Sequence, residues 1–303
     1  MPWPSWEEAA VATLLSLVAW LLVARLPRSR IGDALIPAFR EFALIAGLYA
    51  VWRLARMLPI THEAGALDRA RDIDHFQHLL RLPTEISMQH FVVAHDWLAR
   101  LVNGYYAIVH VPALIAFMVW AFVRHRDLYP HWRNGLVAVT AGCLVIRFLR
   151  VAPPRFIDEL GFVDLSSRFG LGVYGDVGTG VSDQFAAMPS IHVGWAAVVA
   201  LGTFAMTRSK LRWIVLMHLP VTVFVVAATG HHWWLDGVVA VLLLVAGLVL
   251  DARVRGRRSR VGSVHGTDPH EDVDRGAGAA PADRSRRPDA PGAPDAGRVG
   301  PLA

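Results

Sequence analysis

Seven apolar segments of 16 to 23 residues alternate with polar links along the first 250 residues of the chain. A helix of about 20 apolar residues is long enough to cross the hydrocarbon core of a bilayer. The pattern therefore predicts an all-α membrane protein with about seven transmembrane helices. The segments are residues 9–26, 36–58, 105–123, 134–149, 189–206, 213–229 and 233–250.

Two stretches depart from this alternation. Between residues 61 and 101, apolar residues recur at helical spacing among charges, which is typical of helices lying along the membrane interface, and Pro83 separates two of them. Residues 252–303 are rich in Arg, Gly, Ala, Pro and Asp and predict a disordered tail. We expect three regions: 1–34, an N-terminal transmembrane helix with its link; 35–251, a catalytic membrane domain; and 252–303, the tail.

The composition supports a multi-pass membrane protein. Of the 303 residues, 54% are hydrophobic and 18% charged, and the net charge is +5, with Lys210 as the only lysine. A basic protein could bind nucleic acid, but these arginines gather beside apolar segments and in the tail, so no nucleic-acid partner is expected. The single cysteine, Cys143, rules out a disulfide within the chain.

The basic residues also predict the orientation. The links 25–40, 124–133 and 208–212 carry four, three and three Arg or Lys residues. Because short basic loops stay in the cytoplasm, we expect an extracytoplasmic N-terminus, a cytoplasmic tail and residence in the cell membrane. The polar loop 156–187 would then cover the outer mouth of a site.

Two short motifs carry the candidate chemistry, and both lie where an apolar segment begins. The first is Met188-Pro189-Ser190-Ile191-His192, and the second is Gly230-His231-His232-Trp233-Trp234-Leu235-Asp236. Ionisable groups at a membrane boundary are functional candidates, although a single histidine there is often only a structural hydrogen-bonding group. On a helix, the four-residue spacing lets Asp236 accept a hydrogen from His232, which leaves the other ring nitrogen as an acceptor. His192 is a second histidine that can donate a proton, and a helix start favours a bound phosphate.

These motifs, PSxH followed by HxxxD, resemble the second and third signature motifs of the type 2 phosphatidic acid phosphatase superfamily. The His-His-aromatic-x-x-Asp form is similar to the branch that contains fungal inositol phosphorylceramide synthase and the sphingomyelin synthases. The resemblance covers roughly residues 60–250 and implies a six-helix phosphatase-like core plus one extra N-terminal helix. It also implies that His232 attacks phosphorus, that Asp236 holds the His232 ring, and that His192 protonates the leaving oxygen and then deprotonates the acceptor.

The phosphate contacts are less clear, because the chain departs from the family pattern. The first motif, KxxxxxxRP, is absent: Arg147 and Arg155 are eight residues apart, and the prolines precede Arg155. Val226 stands where the third motif has an arginine. We expect Ser190, Arg155 and Arg150 to contact the phosphate. His231 and Arg147 are expected to contact these residues and not the phosphate itself.

The resemblance implies a lipid phosphotransferase of the inositol phosphorylceramide synthase type, acting at the extracytoplasmic face. Its partners would be a membrane lipid and an alcohol acceptor such as an inositol headgroup, and the oligomeric state stays open. The alternatives are a phosphatase for phosphatidic acid or isoprenyl diphosphate, a haloperoxidase and a membrane transporter. No cofactor or metal is expected, because helix polarity accounts for the acidic and histidine residues of the interfacial segment, which are Asp72, Asp74, His75 and His78.

Overall fold

The computed structural model is all-α over the part of the chain that it describes, as the sequence predicts. It describes residues 4–27, 29–57, 64–165, 168 and 185–264, with side chains up to residue 257. The described residues up to 256 form one compact unit. The helices are α1 (Trp6–Arg25), α2 (Arg30–Arg56), α3 (Ala66–Leu79), α4 (Glu85–Val93), α5 (Asp96–Ile108), α6 (His110–Arg124), α7 (Tyr129–Ile146), α8 (Ile191–Met206), α9 (Arg212–Leu216), α10 (His218–Ala228) and α11 (Trp234–Val264).

The chain is a multi-pass membrane protein. Three described helices are long and apolar enough to cross a bilayer: α1, α2 and the Trp234–Arg257 part of α11. Helices α5 and α6, which meet at a 48° bend, could form a fourth span together, while α8 and the broken pair α9–α10 are apolar but shorter. Each of the seven predicted segments is thus helical, whereas the count of seven spans stays a prediction.

Two predicted boundaries differ from the structure. The α5–α6 pair begins at Asp96, nine residues before the predicted segment. The prediction began too late because the first residues of α5 mix polar with apolar side chains and do not form an apolar run. Helix α11 continues to Val264, so the first part of the predicted tail is helical, since an established helix gains one hydrogen bond per added residue. The rest of the tail, and residues 166–167 and 169–184 of the predicted outer loop, lie outside the described residues.

The interfacial segment forms the expected helices. Pro83 lies between α3 and α4, as predicted. Leu79 and Leu80, at the end of α3, are 67% and 52% exposed, which suits an apolar face turned towards lipid.

Helices α6, α7, α8 and α11 pack closely because small residues lie at their contacts. A Cβ atom added to Gly247 of α11 would lie 2.4 Å from the Cβ of Ala138 on α7. A Cβ atom on Gly202 of α8 would lie 2.4 Å from the ring of Phe117 on α6. Such close contacts are typical of helix packing inside membranes.

The N-terminal hairpin, formed by α1 and α2, is attached to α7 by polar contacts. Within the hairpin, the Ser16 hydroxyl donates to the Phe39 carbonyl at 2.8 Å. The Arg133 guanidinium of α7 donates to both carboxylate oxygens of Glu41 on α2, at 2.8 and 2.9 Å. The hairpin is therefore joined to α7 through an ion pair that is largely buried.

Candidate active site

The two histidine motifs meet where helices α8 and α11 begin. Ser190 is the N-cap of α8, and its hydroxyl accepts the Val193 N–H at 3.4 Å. The Ser190 N–H in turn donates to the Asp236 carbonyl at 3.1 Å. Ser190 is fully buried, so its backbone and side chain both serve to join the two motifs.

His232 is held in one tautomer by two acceptors. Its Nδ1 lies 2.7 Å from the Ala187 carbonyl oxygen and 3.2 Å from Oδ2 of Asp236. Because a carbonyl can only accept and the carboxylate also accepts, Nδ1 must carry the hydrogen. The Nε2 atom of neutral His232 is therefore left with its lone pair.

Asp236 contacts His232 as predicted, but the local structure is not the predicted helical turn. Helix α11 begins at Trp234, so His232 precedes it. The contact arises because Oδ2 of Asp236 turns back and accepts the Trp233 N–H at 2.8 Å, as capping carboxylates do. The Ala187 carbonyl was not predicted, since a backbone acceptor leaves no signal in residue types.

His192 lies next to His232, as the motifs predict. The centroids of the two rings are 6.0 Å apart. Two further side chains from the α5–α6 bend contact the His192 ring: Tyr106, at 4.6 Å between centroids, and His110, at 5.0 Å. Sequence reasoning missed both, although a histidine within an apolar segment was a usable signal.

His231, which precedes His232 in the second motif, is almost completely buried. Its ring stacks on Tyr106 with centroids 4.3 Å apart. Burial and the nearby Arg155 guanidinium hold the pKa of His231 well below its ordinary value, so the ring is neutral. This position suits a supporting residue.

Arg155 is the predicted phosphate ligand whose link to the second motif is visible in the structure. Its N–H donates to the Gly230 carbonyl at 3.2 Å, and its guanidinium lies over the Phe156 ring. Gly230 has a φ of +66°, and a Cβ atom there would come within 2.8 Å of Phe162 and 3.2 Å of the Arg155 Cβ. A glycine is therefore needed where Arg155 passes the two histidines.

The other two predicted arginines are buried beside this loop. Arg150 is 3% exposed, and its carbonyl accepts the Nε–H of Arg69 on α3 at 2.6 Å. Arg147 is 9% exposed and donates through Nη2 to the Arg56 carbonyl at 3.5 Å. These contacts hold the segment that follows α7 against α3 and the end of α2.

Val226, which replaces an arginine of the family pattern, has a structural role. It is 2% exposed, and its carbonyl accepts the N–H groups of His231 and His232 at 3.2 and 3.3 Å. The backbone of the second motif is thus held by α10 without a charged side chain.

The start of α11 is capped from the interfacial helices. The N–H of Trp234 donates to Oε1 of Glu85 at 3.1 Å, and the N–H of Leu235 donates to Oε1 of Gln77 at 3.2 Å. The Gln77 amide also donates to Glu85 at 2.9 Å. Burial raises the pKa of Glu85 above its ordinary value, against the opposing effect of these hydrogen bonds. Helices α3 and α4 thereby position the segment that carries Asp236.

An apolar groove of about 400 Å³ adjoins the site. It is lined from α8 by Val193, which follows His192, and from α11 by Trp234 and Gly237. Leu219 and Val223 of α10 form the opposite side. A groove of this lining suits a hydrocarbon chain.

The acidic and histidine residues of α3 do not form a metal cluster. No group of three metal-ligating side chains occurs within the described ranges. His78 lies 3.6 Å from Asp74 one helical turn away, which is an ordinary pair on an exposed helix face.

Comparison with known proteins gives one match. The family model described as the PAP2 superfamily matches residues 71–250, a range that includes both motifs, Arg155 and the α3–α4 cap. No curated protein and no solved structure matches the chain.

Proposed function

Since the chain belongs to the PAP2 superfamily, we propose that it is a membrane enzyme that transfers or hydrolyses a phosphate-containing group through a covalent intermediate on His232. The observation that supports this most directly is the fixed tautomer of His232. Two acceptors hold the hydrogen on Nδ1, so the Nε2 lone pair is available to attack phosphorus.

The reaction has two steps. In the first, the Nε2 lone pair of His232 forms a bond to phosphorus, and the bond to the leaving oxygen breaks. The leaving oxygen takes the bonding electrons and a proton from His192, whose ring adjoins His232. In the second, His192 removes a proton from the acceptor hydroxyl, whose oxygen bonds to phosphorus while the P–N electrons return to His232.

Charge on the phosphoryl oxygens needs donors. Arg155 approaches the second motif through Gly230, and the N–H groups at the start of α8 provide the positive end of a helix dipole. We assign phosphate binding to these groups and, as a further donor, to Arg150. The buried hydroxyl of Ser190 contributes by capping the N-terminus of α8.

The proposed donor is a membrane lipid. The apolar groove supports this, because it is lined by Val193 and Gly237, which directly follow His192 and Asp236 in the sequence. The His-His-aromatic-x-x-Asp motif favours transfer to an alcohol, such as an inositol headgroup, over hydrolysis. Phosphatase activity on phosphatidic acid or isoprenyl diphosphate would use the same intermediate with water as acceptor. On the basis of the basic links, we propose that the site lies on the extracytoplasmic face of a protein with seven spans, six of them in the phosphatase-like core.

The test is to incubate purified protein in detergent with phosphorus-labelled phosphatidic acid, isoprenyl diphosphate or phosphatidylinositol, with and without added alcohols. One donor should be consumed, and acid quenching should lose a label that alkaline quenching retains on the protein. His232→Ala should abolish both turnover and labelling, since no other described group replaces Nε2. His90→Ala, at an exposed position of α4, is the matched control and should behave like the wild type.

The outcome with alcohols separates the two activities. A labelled lipid or inositol product that requires the alcohol supports a transferase, whereas release of phosphate without it supports a phosphatase. Normal turnover by His232→Ala would overturn the proposed nucleophile.

A further inference from the structure

The rings of His110, which is buried, and His192, which is partly buried, lie next to each other between α6 and α8. Their centroids are 5.0 Å apart, and their planes are inclined at 69°. His110 is 3% exposed. It is the first residue of α6 and lies two residues after Ile108, where α5 ends. Neither family motif includes this residue.

The hydrogen bond of His110 defines its tautomer. Its Nδ1 lies 3.2 Å from the Tyr106 carbonyl oxygen, which can only accept, so Nδ1 carries the hydrogen. The Nε2 atom is then an acceptor. This atom is buried and has no hydrogen-bond donor among the residues that the structure describes.

The Nδ1 atom of His192 is a hydrogen-bond donor that needs an acceptor. It too is buried without a hydrogen-bond partner within the described part of the chain. In the proposed first step, His192 starts as an imidazolium with a hydrogen on both nitrogens, one of which goes to the leaving oxygen. The hydrogen that remains on the ring requires an acceptor, because a buried charged donor is costly to leave unsatisfied.

We propose that His110 is a positioning residue for His192, its Nε2 atom accepting the Nδ1–H of His192 through one water molecule. This inference rests on the proposed function, in which His192 carries the transferred proton. Ala187 and Asp236 hold the ring of His232, the proposed nucleophile. In the same way, His110 would hold the ring of His192, the proposed acid, and stabilise its form with the hydrogen on Nδ1.

The groups around the pair allow this role. His110 is faced by Tyr105 and Tyr106 of α5 and by His218 of α10. His192 is faced by Tyr106 and by His232, and Arg56 at the end of α2 acts on it electrostatically. None of these neighbours carries a negative charge, so an acceptor at His110 can stabilise protonated His192.

The test compares His110→Phe with His110→Gln. Phenylalanine keeps a ring but removes the acceptor, whereas the Gln side chain can place an oxygen near the position of Nε2. We expect His110→Phe to lower kcat about 10- to 100-fold, as loss of a supporting hydrogen bond does, with little change in KM. The descending limb of its pH profile should move to lower pH, because His192 loses its proton more readily. His110→Gln should recover part of both effects.

The controls separate this inference from the proposed function. His90→Phe and His90→Gln, at the exposed α4 position, should keep the wild-type pH profile. If His192→Ala is inactive while folded His110→Phe keeps the wild-type kcat and profile, the role of His110 is wrong and the proposed function stands. If His192→Ala and His232→Ala both remain active, the proposed function itself fails.

A direct measurement covers the case in which His110→Phe does not fold. In ¹⁵N-histidine NMR spectra of the wild type, the Nδ1–H of His192 should give a protected, hydrogen-bonded signal that shifts in His110→Gln. An unchanged signal in His110→Gln would contradict the proposal.

Discussion

At the scale of single residues, the site depends on where hydrogens are held. Two acceptors share the Nδ1–H of His232, and the backbone carbonyl of Ala187 is the nearer of them. The tautomer therefore does not depend on Asp236 alone. What only Asp236 can supply is a negative charge beside a ring that becomes cationic when it binds phosphorus.

Asp236→Asn tests this division of roles. The amide oxygen can still accept the Trp233 N–H, so the start of α11 should remain intact, and Ala187 should still hold the tautomer. We expect kcat to fall about 100-fold, which is less than the roughly 10⁴-fold loss in triads where the carboxylate alone fixes the tautomer. Steady-state kinetics with the identified donor measures it. Inactivity equal to that of His232→Ala would show that the carbonyl contributes nothing.

The residues that sequence analysis found are those whose chemistry is visible in their type and spacing. His192, His232 and Asp236 were recognised in this way, and the structure brings them together, although their catalytic roles stay predictions. Ala187 was missed because it acts through its backbone. His110 and Tyr106 were missed because their neighbours in sequence resemble an ordinary membrane helix, and only folding places them against His192.

At the scale of elements, α11 is positioned by helices that do not carry the motifs. Glu85 and Gln77 accept the first N–H groups of α11, and Glu85 is 3% exposed. Burial makes the ionised carboxylate unfavourable, so its pKa is raised in the folded protein. Stabilisation from the neutral form is then complete below the ordinary pKa of a glutamate and is lost as the pH rises through the raised value.

Glu85→Gln should remove this pH dependence. The amide keeps an oxygen for the Trp234 N–H but cannot ionise. We expect the Tm of the wild type, relative to that of Glu85→Gln, to fall as the pH rises above about 4.5. Thermal unfolding in detergent measures the difference. The exposed Glu159→Gln is the control and should show no such fall, and a wild-type Tm that rises relative to Glu85→Gln would contradict the sign.

Helix positions were largely predictable, because apolar length and spacing determine where a chain can be helical inside a bilayer. The breaks were not predicted, although the sequence carries a signal for both. Helix α5 ends at Ile108 and α9 at Leu216, four residues before Pro112 and Pro220 respectively. Because proline has no N–H, it cannot donate a hydrogen bond to the carbonyl four residues earlier, and a pattern of apolar positions alone does not record this.

At the scale of the whole molecule, the orientation follows from charge bias. The three basic links predict that both histidine motifs face the extracytoplasmic side. The substrate would then be a lipid of the outer leaflet, or one moved to it. The opposite orientation would give the site access to soluble cytoplasmic donors and acceptors.

Cysteine labelling decides between these orientations. We expect Glu159→Cys, in the exposed turn beside the site, to react with an impermeant maleimide in intact cells, and Ser209→Cys, in the exposed link after α8, to stay unlabelled. Both should be made with Cys143→Ala, although the buried Cys143 should itself be unreactive. Permeabilised cells provide the control, in which both positions react. The reverse pattern would place the site in the cytoplasm.

The ion pair between Glu41 and Arg133 links events that are separated in time during synthesis. Glu41 is made 92 residues before its partner, so α2 enters the membrane before Arg133 exists. On translocon scales, a charged residue at the centre of an apolar helix costs about 2.5 to 3.5 kcal/mol to insert. Until α7 is inserted, Glu41 of the new hairpin must either lie unpaired in the membrane at that cost or stay near the membrane–water boundary. The first two helices therefore reach their final position only after α7, a helix of the catalytic domain, has been inserted.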